Sequence, residues 1–336
     1  MTIRLAINGF GRIGRALMRT ILADPGDIEV VAVNDLTDPA NLAYMLEYDS
    51  AYRWLGHHVT VEGDSLKVGN QSVKVLAQRD PEQLPWADLG IDIVVESTGF
   101  FTSRDGSAKH LSAGAKKVII SAPAKGPDLT VVMGVNDNQY NSAEHHIVSN
   151  ASCTTNCLAP VAKVLLDSFG IEMGMLTTCH AYTATQAIVD RPDPKDFRRG
   201  RAAGVSIVPS STGAATAVAL VLPQLKGKMD GMALRVPTIT GSVVDFVART
   251  EQPVTVDAVN AAFAAAANGP MQGILGIAHA NAVSSDMIGD PRSSIVDSES
   301  TMVLGDRMVK VISWYDNEYG YASRVKDLAS LMGSQL

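Results

Sequence analysis

The chain has 336 residues, 46% hydrophobic and 19% charged, with a formal net charge of -7. That length suggests two domains or one large one, with enough apolar residue to bury a sizeable core. The acidic balance argues against nucleic acid as the main partner, and no apolar run reaches the roughly 18 residues of a membrane span.

Ile3 to Ile7 reads as a short strand running into Asn8-Gly9. Ile13, Leu17, Ile21 and Leu22 then recur at helical spacing, until Asp24-Pro25-Gly26-Asp27 stops the pattern. Ile28 to Val33 is a second strand, ending at Asn34-Asp35; together these make one βαβ unit. Leu42 to Tyr48 predicts a further helix, and Val59 to Val75, alternating around Gly63 and Gly69, antiparallel hairpins. Asp92 to Glu96 predicts a buried strand, Arg104 to Ala113 a helix, and Lys117 to Ser121 another strand. The expectation is an α/β fold, a Rossmann-type doubly wound parallel sheet.

After Asn150 the texture changes. A helix over Thr154 to Ser168 precedes strand-like runs at Gly174 to Ala181, Met232 to Pro237, Val243 to Thr250, Ser293 to Asp297 and Met308 to Trp314. One helix, Val256 to Asn268, sits among them. Long strands with few crossover helices imply an α+β domain with a mostly antiparallel sheet. A last helix spans roughly Tyr321 to Met332. The expected boundaries are 1–151, with the C-terminal helix 317–336 packing on it, and 152–316. The stretch Asp190 to Ala203 is a polar loop rich in Pro and Arg, and so long a loop is usually functional.

Gly9, Gly11 and Gly14 form G-x-G-x-x-G directly after a strand and opening a helix. The first glycine permits the tight turn, the second lets a pyrophosphate approach the backbone, and the third lets helix and strand pack closely. The diphosphate then meets a helix N-terminus, where free N–H groups favour anions. Asp35, 21 positions after Gly14, ends the next strand, where its carboxylate would accept the ribose hydroxyls and repel a 2'-phosphate. NAD is therefore expected over NADP.

"SNASCTTNC", Ser149 to Cys157, gathers small nucleophilic side chains where a strand hands over to a helix. Ser152 or Asn150 could cap that helix. At a helix N-terminus the Cys153 thiol has its pKa lowered and N–H groups stand ready for an oxyanion. Cys157 and Cys179 read as small buried hydrophobes. His180 ends a strand and leads into the polar "AYTATQ", a suitable place for a base. His57, His58, His110, His145, His146 and His279 read as structural or solvated. No metal site is expected, because adjacent strand residues such as Cys179 and His180 point to opposite faces. Three cysteines do not make a disulfide framework, and "MTIRLAINGF" lacks the regions of a signal peptide, which together fit a reduced, cytoplasmic protein. "PSSTGAAT", Pro209 to Thr216, is a second hydroxyl-rich turn where Thr212 and Gly213 could meet a phosphate. Arg235, among apolar strand neighbours, wants either a carboxylate or a substrate phosphate.

"INGFGRIGR", "SNASCTTNCLAP", "HAYTATQ", "RRGRAA", "PSSTGAA", "RVPT" and "SWYDNEYGY" follow one another in an order that resembles the phosphorylating, glycolytic glyceraldehyde-3-phosphate dehydrogenases almost end to end. The resemblance implies a Cys153 nucleophile, a His180 base and a thioester that inorganic phosphate cleaves to 1,3-bisphosphoglycerate. It implies that Gly9, Gly11, Arg12, Ile13, Gly14, Asp35, Arg79, Ser121 and Asn317 hold NAD, with Tyr321 beside the nicotinamide. It implies that Ser152, Thr154, Thr183, Arg198, Thr212, Gly213 and Arg235 form two phosphate sites, in a homotetramer whose 190–203 loop lies at a subunit contact. The catalytic domain would be the second one. Thr216, Tyr319 and Ser323 depart from common family residues, none of them catalytic. A relative oxidising erythrose 4-phosphate shares "SNASCTTNC" but lacks "HAYTATQ" and "STGAA". An NAD-binding thiol redox sensor would need Cys153 but neither His180 nor the anion residues.

Overall fold

β1 (Ile3–Asn8) is buried along most of its length, and it lies at the centre of a nine-stranded sheet. The computed structural model describes residues 2–194 and 196–336. They divide into two units: residues 2–133, 137–152 and 322–336 form one, and residues 134–136, 153–194 and 196–321 the other.

In the first unit β1 leads to α1 (Arg12–Ala23), β2 (Ile28–Asn34) and α2 (Pro39–Glu47). A short ribbon, β3 (Tyr48–Asp49) and β4 (Arg53–Trp54), is followed by β5 (Val59–Glu62), β6 (Ser65–Val68) and β7 (Gln71–Leu76). Then come β8 (Ile93–Glu96), α3 (Arg104–Ser112), β9 (Lys117–Ile120), β10 (Leu129–Thr130) and β11 (Ile147–Ser149). Side-chain caps start α2 and α3. The Asp38 carboxylate accepts the Ala40 N–H at 2.9 Å before Pro39-led α2, and Ser103 Oγ accepts the Gly106 N–H at 3.2 Å before α3. The sheet runs β10-β11-β9-β8-β1-β2-β7-β6-β5. It is parallel from β10 through β7, and only the β5–β6–β7 hairpins are antiparallel. The doubly wound parallel sheet expected from the apolar runs is present.

The second unit holds α4 (Cys153–Phe169), β12 (Met173–Ala181), β13 (Val208–Ser211), α5 (Ala214–Val221), β14 (Met229–Val236) and β15 (Ser242–Arg249). It continues with α6 (Val256–Ala267), β16 (Leu275–Ile277), β17 (Ser294–Leu304), β18 (Met308–Tyr315) and the start of α7 (Tyr319–Gly333). Its sheet runs β13-β14-β12-β15-β18-β17-β16, antiparallel except at β12–β14 and β16–β17. Val244, Phe246 and Ala248 alternate inward on β15, as do Val309 and Val311 on β18, and Val259 and Phe263 are the buried face of α6. The sequence showed β13 only as a turn, because "VPSS" has no alternation and contains a proline. It is an edge strand, where Pro209 is tolerated.

The rest of α7 belongs to the first unit: Lys326 Nζ reaches the Asp24 carboxylate at 2.8 Å and Ser330 Oγ donates to Asp27 at 2.7 Å. Between β11 and α4, Ala151 adopts φ +55°, a left-handed conformation unusual for a residue with a Cβ. Five large apolar side chains between 188 and 207 face solvent: Ile188, Val189, Phe197, Val205 and Ile207, each 65–89% exposed. Among the described residues no helix is long and apolar enough to cross a membrane.

Candidate active site

The glycine turn behaves as its spacing suggests. A Cβ at Gly9, whose φ is +94°, would come within 2.6 Å of the Thr98 nitrogen, and one at Gly14 within 2.3 Å of the Gly9 oxygen. At Gly11 nothing lies within 4 Å. The first and third glycines therefore close the turn and the second leaves open space. That space is part of a cavity of about 450 Å³ at the C-terminal ends of β1, β2 and β8, lined among others by Asn8, Asp35, Arg79 and Thr98. Asp35 Oδ2 accepts the Phe10 N–H at 2.8 Å and Oδ1 the Thr37 N–H at 3.0 Å, so the carboxylate is held in place with further lone pairs free. An open glycine, a helix N-terminus and an anchored carboxylate fit the diphosphate and ribose of a dinucleotide.

Of the other residues of the expected cofactor set, Arg79 also lines this cavity, and the rest are placed elsewhere. Arg12 is ion-paired with Asp49 and stands over the Tyr52 ring at 5.7 Å. Burial raises the Asp49 pKa, but the Tyr52 N–H, the Arg12 charge, the Ala51 N–H and the Arg12 hydrogen bond together outweigh it, and the net shift is downward. Ile13 is half-buried in the first turn of α1, and Arg79 is exposed. Ser121 Oγ donates to the Glu96 carbonyl at 3.0 Å. Asn317 and Tyr321 belong to the second unit, where Asn317 Oδ1 accepts from Ser242 Oγ at 2.8 Å.

In the second unit Cys153 is the first residue of α4, and its Sγ stands 3.3 Å from Nε2 of His180 near the end of β12. Arg235 is the register partner of His180 on parallel β14. Nδ1 of His180 meets two groups with opposite demands. The Ala181 carbonyl, 2.7 Å away, only accepts, whereas Arg235 Nη1, also 2.7 Å away, only donates. A proton on Nδ1 suits the carbonyl and leaves Nε2 bare toward the sulfur. A proton on Nε2 suits the guanidinium. Burial first and the Arg235 charge second push the His180 pKa down to about 4. Burial also pushes the Cys153 thiol up, against the lowering pull of Arg235, of the Thr154 N–H and hydroxyl, and of its own N–H. The helix terminus thus acts in the expected direction, but in this site burial is the larger effect.

Tyr315, which sequence reasoning missed, braces this pair. Its hydroxyl bonds to Thr154 Oγ1 and Thr178 Oγ1, both at 3.0 Å, and its ring lies edge-on to His180 at 6.0 Å. Only the inward alternation along β18 hints at it. Cys157 is buried and its pKa is raised to about 12. Cys179 is a correction: it is partly exposed, because β12 alternation puts it on the face opposite His180.

The other expected anion residues have separate local partners. Thr183 Oγ1 pairs with Thr185 at 3.0 Å, Thr212 Oγ1 accepts the Ala214 N–H at 3.2 Å, and Gly213 precedes α5 as its N-cap. Thr154 is buried with its hydroxyl turned to Tyr315, and Ser152 is half-buried. Arg198 is exposed, and Arg199 pairs with Asp196 at 3.3 Å. Both arginines line a second cavity of about 810 Å³ with Phe197 and Met232. Neither Cys153 nor His180 lines it, and its exposed apolar rim suits a protein surface better than a small ligand.

Comparison with known proteins gives two domain matches in sequence. Residues 3–104 match the NAD binding domain of glyceraldehyde 3-phosphate dehydrogenase and residues 152–317 its C-terminal domain. The chain is 58% identical over 335 residues to glyceraldehyde-3-phosphate dehydrogenase of Geobacillus stearothermophilus, covering 100% of this chain and 99% of that protein. It is 56% identical over 335 residues to glyceraldehyde-3-phosphate dehydrogenase 1 of Bacillus subtilis (strain 168), with the same coverage. It is 56% identical over 342 residues to the Mycobacterium avium enzyme, covering all of both. Both domain matches in order, on a chain aligned throughout its length, place it in the glyceraldehyde-3-phosphate dehydrogenase family.

Proposed function

We propose that the Cys153–His180 pair carries out the phosphorylating oxidation of D-glyceraldehyde 3-phosphate to 1,3-bisphosphoglycerate, the NAD-dependent glycolytic step that the family performs. The observation that carries this assignment is the 3.3 Å between sulfur and imidazole at the start of α4. Nε2 of His180 takes the thiol proton as Sγ adds to the aldehyde carbon. The oxyanion of the resulting hemithioacetal accepts from the Cys153 N–H and from the newly protonated Nε2. When bound, NAD would supply the hydride acceptor for that carbon. What remains on Cys153 is a thioester, which keeps the oxidation energy that hydrolysis to the acid would lose. A phosphate oxygen then attacks the acyl carbon, the C–S bond breaks with the sulfur leaving as thiolate, the thiolate takes back the proton held on Nε2, and the acyl phosphate leaves.

This role needs the Nδ1-protonated tautomer, with Nδ1–H on the Ala181 carbonyl. A substrate phosphate on Arg235 draws the guanidinium off Nδ1 and favours that tautomer. Ser152, Thr154, Thr183, Arg198, Thr212 and Gly213 are proposed to complete the anion sites. Gly9, Gly11, Arg12, Ile13, Gly14, Asp35, Arg79, Ser121, Asn317 and Tyr321 are proposed to hold NAD. The protein is proposed to be a cytoplasmic homotetramer. The five exposed apolar side chains between 188 and 207 support an assembled state.

A steady-state assay with glyceraldehyde 3-phosphate, inorganic phosphate and either NAD or NADP tests the reading, with erythrose 4-phosphate as the competing substrate. Phosphate-dependent NADH formation from the triose phosphate is the expected result. A preference for erythrose 4-phosphate, or turnover that ignores phosphate, would refute it.

A further inference from the structure

Beneath the cavity of the first unit lies a buried carboxylate that no step above uses. Glu96 ends β8 and is 2% exposed. Its Oε1 accepts the Thr98 N–H at 2.8 Å and the Thr98 hydroxyl. Its Oε2 accepts Asn8 Nδ2 at 2.5 Å and meets His110 Nε2 at 3.1 Å. Every hydrogen in this network is fixed by groups that have only one role. The Trp86 indole can only donate, and it donates to His110 Nδ1 at 3.0 Å, so the ring carries its proton on Nε2 and offers it to Glu96. A carboxylate can only accept, so Asn8 turns Nδ2 to Glu96 and Oδ1 to Asn34 Nδ2 at 2.6 Å. Asn34 in turn presents Oδ1 to the Gln78 N–H at 2.8 Å, which can only donate. The sequence placed His110 among the structural or solvated histidines; it is structural and fully buried.

Asn8, Asn34, Gln78 and Thr98 all line the cavity. We infer that Glu96 is the positioning residue of the dinucleotide pocket, a buried carboxylate whose oxygens set the orientation of Asn8 and Thr98 directly, and of Asn34 through Asn8, from beneath. The inference rests on reading that cavity as the NAD site. Glu96 touches no ligand itself; it acts through Asn8 and Thr98. The nitrogen of Thr98 is the atom that Gly9 packs against, so the same carboxylate also supports the glycine turn.

The network makes an isosteric change unusually damaging. In Glu96→Gln, an amide nitrogen in the Oε2 position would face two donors, Asn8 Nδ2 and His110 Nε2. The flipped amide would face the Thr98 N–H. Each orientation leaves buried donors opposed. Adding Asn8→Asp reverses the polarity at that point: a carboxylate there accepts from Asn34 Nδ2 and from the new amide. It also lies within reach of His110, whose Nε2 is 3.4 Å from Asn8 Nδ2.

Isothermal titration with NAD, together with thermal melting, tests this. Glu96→Gln is expected to weaken NAD about tenfold or more, while Cys153 alkylation without NAD keeps its rate. The Asn8→Asp, Glu96→Gln double variant should recover NAD affinity to within about threefold of the parent. A single variant with a lower melting midpoint but unchanged NAD affinity overturns the inference, because Glu96 would then be only structural. If the single variant does not fold, the double variant must both fold and bind, and its failure overturns the inference equally. Asp35→Ala separates the two layers: if it weakens NAD and Glu96→Gln does not, the cavity is still the NAD site and the role of Glu96 falls. If neither variant weakens NAD, both readings fall.

Discussion

Arg235 Nη1 and the Ala181 carbonyl each stand 2.7 Å from Nδ1 of His180, and one proton cannot satisfy both. On the proposed mechanism the guanidinium competes with the base it stands beside until a substrate anion claims it. Arg235→Gln should lower kcat/KM for glyceraldehyde 3-phosphate by roughly 10- to 100-fold, the value of a lost charged hydrogen bond. Unphosphorylated glyceraldehyde should suffer much less. Equal losses for both substrates would remove the phosphate from the argument.

Acid stability follows from the same histidine. Burial, then Arg235, pushes the His180 pKa from 6.5 to about 4. Below pH 6.5 the unfolded chain takes up a proton that the folded one refuses, so stability falls as pH drops from about 6.5 to about 4 and is flat on this account above it. The full effect is of order 3 kcal/mol. Denaturant melts of the parent and of His180→Asn across that range check it. Parallel curves for the two proteins would show that His180 contributes nothing to the slope.

The two outer glycines and the middle one should fail differently. Gly14→Ala would drive a methyl into the Gly9 carbonyl at 2.3 Å and should destabilise by about 1–3 kcal/mol. Gly11→Ala meets no protein atom within 4 Å, so it should fold normally and lose NAD affinity. Melting midpoints and NAD titrations of both variants distinguish the outcomes. Tight NAD binding by Gly11→Ala would mean the dinucleotide does not cross that glycine.

Asp35→Asn keeps an acceptor for the Phe10 N–H, now made at 2.8 Å to Oδ2, and removes the charge. The ratio of NAD to NADP efficiency should fall about tenfold or more. An unaltered ratio would show that the carboxylate does not read the ribose.

Cys153→Ser should bind NAD as the parent does and form no acyl-enzyme, because a serine hydroxyl is a far weaker nucleophile than a thiol beside the same base. Rapid mixing with substrate and NAD should give no burst of NADH. A burst of normal size would move the nucleophile elsewhere.

Much of this was legible in the residues. The strand, glycine turn and helix of Ile3 to Leu22 have matching local signals, and the turn's glycines are constrained just where their spacing implied. Cys153 and His180 are 27 positions apart, and each announced itself only by polar company at the end of a regular element. What could not be read was contact across strands. Tyr315 reaches Thr154 over 161 positions, and Asn8 reaches Glu96 over 88. Neither pairing leaves a periodic trace. The sign of the thiol's shift was also hidden, since it depends on how much water reaches the sulfur, and burial outweighs the nearby donors.

The uncovered apolar side chains from Ile188 to Ile207 carry one more consequence. If other copies of the chain cover them, unfolding also separates subunits, and its free energy depends on how much protein is in the tube. Simple dilution should then lower the melting temperature with no change of buffer.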